Sequence, residues 1–178
     1  IEDASGASAI VEYIGGQPVV HHGREYQLLT NDPAYDEQLE NLARYDFTNS
    51  TRQTPLPGNV DPVQRFIRAA YFLQKLPEPG TEREAIASIL AIARNASVPF
   101  GAPNNAPGTL YNTEYRTAID LTNRRYFFEL TTTPNLIWVE LKGLDFNPGA
   151  PVMLLDPDDI YLTGDVTARF HKADKAPF

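Results

Sequence analysis

The apolar residues of this chain change their spacing twice, and that change limits what it can fold into more than any other feature. Ser8 to Ile14 alternates apolar with polar or exposed positions, and Pro18 to His22 and Glu25 to Thr30 continue as short extended runs. In Asp36 to Tyr45, Asp61 to Leu76 and Thr81 to Ala93 the apolar positions recur at helical spacing, and between Thr113 and Leu141 come three short strand-like runs separated by turn residues. Strands and helices therefore come in blocks, in the order β-β-β, α, α-α, β-β-β. Blocks of this kind build antiparallel sheet covered by helices, so the expected fold class is α+β.

Three opening strands are expected at Ser8 to Ile14, Pro18 to His22 and Glu25 to Thr30, the first two joined by a Gly15-Gly16 hairpin turn. Asn31-Asp32-Pro33 ends the third. Leu39, Leu42 and Tyr45 then mark a short amphipathic helix from Asp36 to Tyr45, and Asp46 to Asn59 form a loop. Asp61 followed by Pro62 is a helix start, because an Asp side chain caps orphan N–H groups and proline at the first helical position loses no hydrogen bond. That helix runs to about Leu76. Thr81-Glu82-Arg83-Glu84 reads as a capping box opening a second helix, whose apolar face includes Ala85, Ile86, Ile89, Leu90, Ile92 and Ala93. The two helices are expected to pack as an antiparallel pair. Val98 to Gly108 is a loop long enough to suggest a role, and the strands Thr113 to Asp120, Arg125 to Thr131 and Leu136 to Leu141 form a second meander. The tail from Asn147 reads as a surface-tracking extension.

Composition excludes several functions. The chain has 178 residues, 15 Lys+Arg against 23 Asp+Glu, and a net charge of −8. Nucleic-acid binding needs clustered basic residues, and anionic membranes repel the same surface. No apolar run approaches the roughly 20 residues that span a bilayer. With no Cys, disulfides, thiolate–metal sites and an in-chain thiol nucleophile are excluded. The chain begins at Ile1-Glu2-Asp3, which reads as a processed product or a fragment rather than a translation start.

Candidate chemistry is sparse. His21 and His22 are adjacent on a strand, so they face opposite ways and share a metal poorly; one exposed and one half-buried imidazole are expected. Asp156-Pro157-Asp158-Asp159 lacks the Gly and distal Glu of an EF-hand and reads as a solvated acidic turn. There is no Gly-rich phosphate loop, no G-x-S-x-G elbow, and no cofactor pattern. Asn31 is either a turn former or an amide donor held at a strand end, the geometry of an oxyanion hole. Arg65 and Arg68, one turn apart, either snorkel beside the apolar face or hold an anionic group.

Thr30-Asn31-Asp32-Pro33-Ala34-Tyr35-Asp36-Glu37-Gln38 resembles the T-N-x-P-x-[FY]-[DE]-x-Q segment of the choloylglycine hydrolase family, which includes penicillin V acylases and conjugated bile salt hydrolases. Arg65 to Tyr71 resembles its R-F-x-R-A-A-[FY] segment. Glu2 to Ala9 resembles its D-x-x-G-x-S stretch, and Tyr111 to Thr117 with Tyr126 to Glu129 resemble its later strands. The likeness runs in order to about Phe170. It implies an N-terminal-nucleophile hydrolase, an αββα sandwich of two antiparallel sheets between helical layers, of which residues 1–178 form the C-terminal portion of a single domain.

The resemblance also implies roles. The family's nucleophile is an N-terminal Cys whose own α-amine is the base, and this chain has no Cys. The expected partner is therefore an N-terminal chain of the same precursor carrying that Cys and its neighbouring Arg and Asp. Asn31 matches the family's oxyanion-hole Asn and Arg65 its active-site Arg. No cofactor is implied. The substrate is expected to be a small-molecule linear amide: penicillin V or an N-acyl homoserine lactone first, conjugated bile salts third. The short spacing from Asn31 to Arg65 resembles Gram-negative members, which implies a periplasmic location. Homo-oligomer assembly is open, as is a non-catalytic binding module or degenerate fragment of the same fold.

Overall fold

The computed structural model describes residues 1–3 and 5–173. Those residues form two compact units, one of Ile1–Glu78 with Asn95–Ser97, the other of Pro79–Arg94 with the chain from Val98 onward.

In the first unit, β1 (Ala9–Ile14) and β2 (Gln17–His22) pair antiparallel, with Ile14 opposite Gln17. The turn between them is Gly15-Gly16, both at positive φ (+59° and +79°), a backbone that glycine adopts without a Cβ penalty. The third expected strand does not form. Residues 25–30 keep a strict alternation of exposed and half-buried positions, with Tyr26 and Leu28 turned onto the core, but no strand lies beside them among the described residues. The alternation there records burial, not pairing.

Helix α1 spans Tyr35–Leu42, ending before Tyr45, which is exposed. Its first turn is satisfied from β1: Glu12 Oε2 accepts from the Tyr35 N–H at 3.0 Å. Helix α2 spans Pro62–Gln74, with Pro62 in its first turn and Asp61 Oδ1 accepting from Gln64 N at 2.9 Å. Tyr35, Phe47, Phe66 and Ile67 form the buried core, with Leu39, Leu42 and Tyr71 packed against them.

In the second unit lies α3 (Glu82–Asn95), up to Arg94. Thr81 Oγ1 accepts from Glu84 N at 3.2 Å as a capping box requires. The reciprocal bond goes one residue further, from Gly80 N to Glu84 Oε2 at 2.8 Å. Leu90 is buried, whereas Ile89, expected inside, is exposed. Because α2 and α3 belong to different units, the expected helix pair is not a feature of either.

Strands β3 (Tyr115–Asp120), β4 (Arg125–Leu130) and β5 (Ile137–Glu140) form the expected antiparallel meander. The tail corrects the reading of a surface extension. It contributes β6 (Met153–Leu154), β7 (Gly164–Asp165) and β8 (His171–Lys172), and β7 runs parallel to β5, making a mixed sheet of order β3-β4-β5-β7. Leu162 and Val166, on either side of β7, are buried against Ile137 and Val139. On the other face, Ala118 and Phe127 pack with Leu90 of α3. Strand alternation divides the sheet: Ile137 and Val139 serve one core, Trp138 the other.

Candidate functional site

The site begins with one residue between two helices of the first unit. Asn31 is exposed at the turn that follows residues 25–30. From α2, Arg65 Nη2 donates to Asn31 Oδ1 at 2.8 Å, and Arg65 Nε donates to the Val60 carbonyl at 2.9 Å. The planar guanidinium thus spans two acceptors, which a lysine cannot do in one geometry. Arg65 is half-buried. The two residues singled out in the sequence, 34 positions apart, are in direct contact.

That contact has a chemical consequence. A guanidinium has no acceptor, so the Asn31 atom facing it must be the oxygen. The amide's N–H donors therefore lie on the opposite edge, and polarisation by the cation strengthens them as donors. A fixed amide donor with a cation behind it can stabilise an oxygen on which negative charge develops.

Arg68 is spent elsewhere. Its Nη1 donates to the carbonyls of Pro57 at 3.0 Å and Asn59 at 2.6 Å, bracing the loop before α2. Burial, then the nearby Arg65 charge, pulls its pKa below the usual guanidinium value.

The turn carrying Asn31 is held by a residue that sequence reading placed only as a motif position. Gln38 is fully buried. Its Nε2 donates to Thr30 Oγ1 at 2.9 Å and to the Asp32 carbonyl at 2.6 Å. The signal was present: Tyr35, Gln38, Leu39 and Leu42 share one helical face, and the only amide on that face needs a partner.

The other candidates are structural. His21 is half-buried, with ring contacts to Tyr35 at 4.8 Å and Tyr26 at 5.4 Å, and His22 is exposed. Among the described residues no group of three or more His, Cys, Asp or Glu side chains could hold a metal ion. Asp156 and Asp159 accept from the N–H groups of Asp158 (3.0 Å) and Tyr161 (2.9 Å), forming Asx turns. The loop 99–107 belongs to the second unit, with an antiparallel bridge between Pro103 and Leu110. No helix among the described residues is long and apolar enough to cross a membrane.

Known proteins resemble the chain over nearly its whole length. The sequence profile of the linear amide C–N hydrolases, choloylglycine hydrolase family, matches residues 1–154. A penicillin V acylase from Pectobacterium atrosepticum is 36% identical over 100% of this chain and 51% of its own length. The structure of penicillin V acylase from Agrobacterium tumefaciens superposes with a TM-score of 0.82 at 38% identity, covering 97% of this chain and 55% of that one. A conjugated bile acid hydrolase from Clostridium perfringens superposes at 0.65 with 19% identity over 80% of this chain and 49% of that one, a likeness of fold alone. The chain spans about half the length of these relatives. Its α+β architecture is that of part of an N-terminal-nucleophile hydrolase sandwich. The chain belongs to the linear amide C–N hydrolases of the choloylglycine hydrolase family.

Proposed function

We propose that this chain supplies the oxyanion side of a cysteine amide hydrolase. Residues 1–178 are the C-terminal portion of one catalytic domain, and an N-terminal chain of the same precursor, beginning with Cys, completes it. The observation that carries the reading is the 2.8 Å bond from Arg65 to Asn31 Oδ1, which aims the Asn31 amide donors away from the cation.

In this reaction the partner's thiolate attacks the amide carbonyl. The C=O electron pair moves to oxygen, and Asn31 N–H donates to it. Collapse of the tetrahedral species breaks the C–N bond, the partner's α-amine returns a proton to the leaving amine, and water then hydrolyses the thioester. An oxyanion donor of this kind is worth about 3 kcal/mol in the transition state.

Phenoxyacetyl amides such as penicillin V are the first substrates to test, supported by 36% and 38% identity to two penicillin V acylases. N-acyl homoserine lactones follow, and conjugated bile salts come third, because that likeness is 19%. A periplasmic location and assembly into homo-oligomers belong to the same reading.

The test has two parts. N-terminal sequencing of co-purifying material should find a second chain beginning with Cys; its absence removes the reading. In the assembled enzyme, Asn31→Ala should lower kcat for phenoxyacetyl amide hydrolysis by about 10²- to 10³-fold. Unchanged turnover takes Asn31 out of the oxyanion role.

A further inference from the structure

We propose that Gln38 is a positioning residue for Asn31: its buried amide ties the residues on either side of Asn31 and thereby holds the Asn31 donors at the reacting oxygen. The inference rests on the oxyanion role proposed above.

The geometry is specific. Asp32 O is a carbonyl and can only accept, so the Gln38 atom 2.6 Å away is the nitrogen. The same nitrogen donates to Thr30 Oγ1 at 2.9 Å. Both donors of one amide are thus spent on residues 30 and 32, immediately flanking residue 31. Gln38 itself cannot drift. It is fully buried on α1, and α1 is anchored to β1 through Glu12 Oε2 and Tyr35 N.

Asn31 is therefore gripped twice. Gln38 of α1 holds the Asp32 carbonyl on one side of it and the Thr30 hydroxyl on the other, and Arg65 of α2 fixes its side-chain oxygen. Packing alone does not account for Gln38. A methionine fills the same volume on the Tyr35–Leu39–Leu42 face, yet here an amide is buried whose Oε1 has no hydrogen-bond partner among the described residues. The donor edge is the edge in use.

An exposed turn residue freed from one grip shifts by a fraction of an ångström to an ångström, and a misplacement of about 1 Å costs on the order of 10²-fold in rate. Binding of substrate elsewhere is untouched, so the loss falls on kcat.

The experiment is a double-mutant cycle in the assembled two-chain enzyme with a phenoxyacetyl amide as substrate. Gln38→Met should lower kcat by about tenfold or more with KM within about twofold, and in the Asn31→Ala background the same change should cost less than about twofold. An equal loss in both backgrounds overturns the inference, because Gln38 then acts independently of Asn31. A normal kcat for Asn31→Ala overturns the oxyanion reading and this inference with it, a pattern distinct from the first. Should Gln38→Met not fold, Gln38→Glu decides. Its ionised carboxylate repels the Asp32 carbonyl, and the protonated carboxyl regains one donor. The ratio of parent to variant kcat should then narrow from about pH 8 to about pH 5; a flat ratio overturns the inference.

Discussion

Replacing Glu129 by Gln tests the frame of the second unit. Glu129 sits on β4 with its side chain only 7% exposed, between Arg94 of α3 and Arg116 of β3. Arg94 Nε donates to Oε1 at 3.0 Å, Arg94 Nη2 donates to Oε2, and Arg116 Nε donates to Oε1. Burial pushes the carboxyl pKa up, but the donors and charges of Arg94 and Arg116 together pull it below the usual value. The carboxylate is therefore ionised in the folded state. The amide of the variant keeps the shape, removes the charge, and turns an N–H₂ group toward a guanidinium. Removing one partner of a buried pair costs about 3–5 kcal/mol. Here Arg94 is 51% exposed and can turn to water, whereas Arg116, 16% exposed, cannot. The cost should fall at or just under the low end, about 2–3 kcal/mol. In the assembled enzyme, about twice the length of this chain, each kcal/mol moves Tm by about 1–2 °C, so Tm should drop by about 2–6 °C.

The same substitution has a pH signature. The folded pKa lies below the unfolded one, so the stabilisation is fully present above the unfolded carboxyl pKa of about 4.3 and is lost as pH falls through the folded value. Calorimetry of the assembled enzyme should show the widest gap between parent and Glu129→Gln at neutral pH, narrowing on acidification. A variant melting within about 1 °C of the parent at pH 7, or a gap that widens in acid, refutes the reasoning.

Two further outcomes are expected. Arg65→Ala should impair kcat more than Arg68→Ala, since Arg65 holds Asn31 while Arg68 braces the carbonyls of Pro57 and Asn59; steady-state kinetics giving the reverse order would exchange their roles. This chain produced alone should be insoluble or should bind ANS and unfold without cooperativity, because Tyr13, Ile14 and Val20 are exposed on a two-stranded hairpin that is marginal by itself. A soluble monomer with one sharp calorimetric transition would contradict this.

The features legible in the sequence were those encoded locally. Asp61-Pro62 and Thr81 to Glu84 are read from the chain because a cap and the N–H it satisfies lie within three residues of each other. Gly15-Gly16 reads as a hairpin because a positive φ is a property of the residue itself. The meander β3-β4-β5 follows from three short strand-like runs with turn residues at Thr122-Asn123 and Pro134-Asn135 between them. Asn31 and Arg65 are singled out through motifs that resemble those of a family, which carry identity and order but no distance.

What tertiary structure alone decided involves partners far apart in the chain. Residues 25–30 alternate in burial and still make no strand, because pairing depends on a neighbour that periodicity does not report. Gly164–Asp165 is too short to read as a strand, yet it joins β5 in parallel because Leu162 and Val166 bury their side chains beside it. The site itself is of this kind. Whether Arg65 or Arg68 meets Asn31 depends on the rotation of α2 about its axis, and the grip of Gln38 on residues 30 and 32 depends on where α1 docks. Sequence specifies which groups are available for hydrogen bonding; the packed core of Tyr35, Phe66 and Ile67 determines which of them meet, because it holds α1 and α2 at one separation and one rotation.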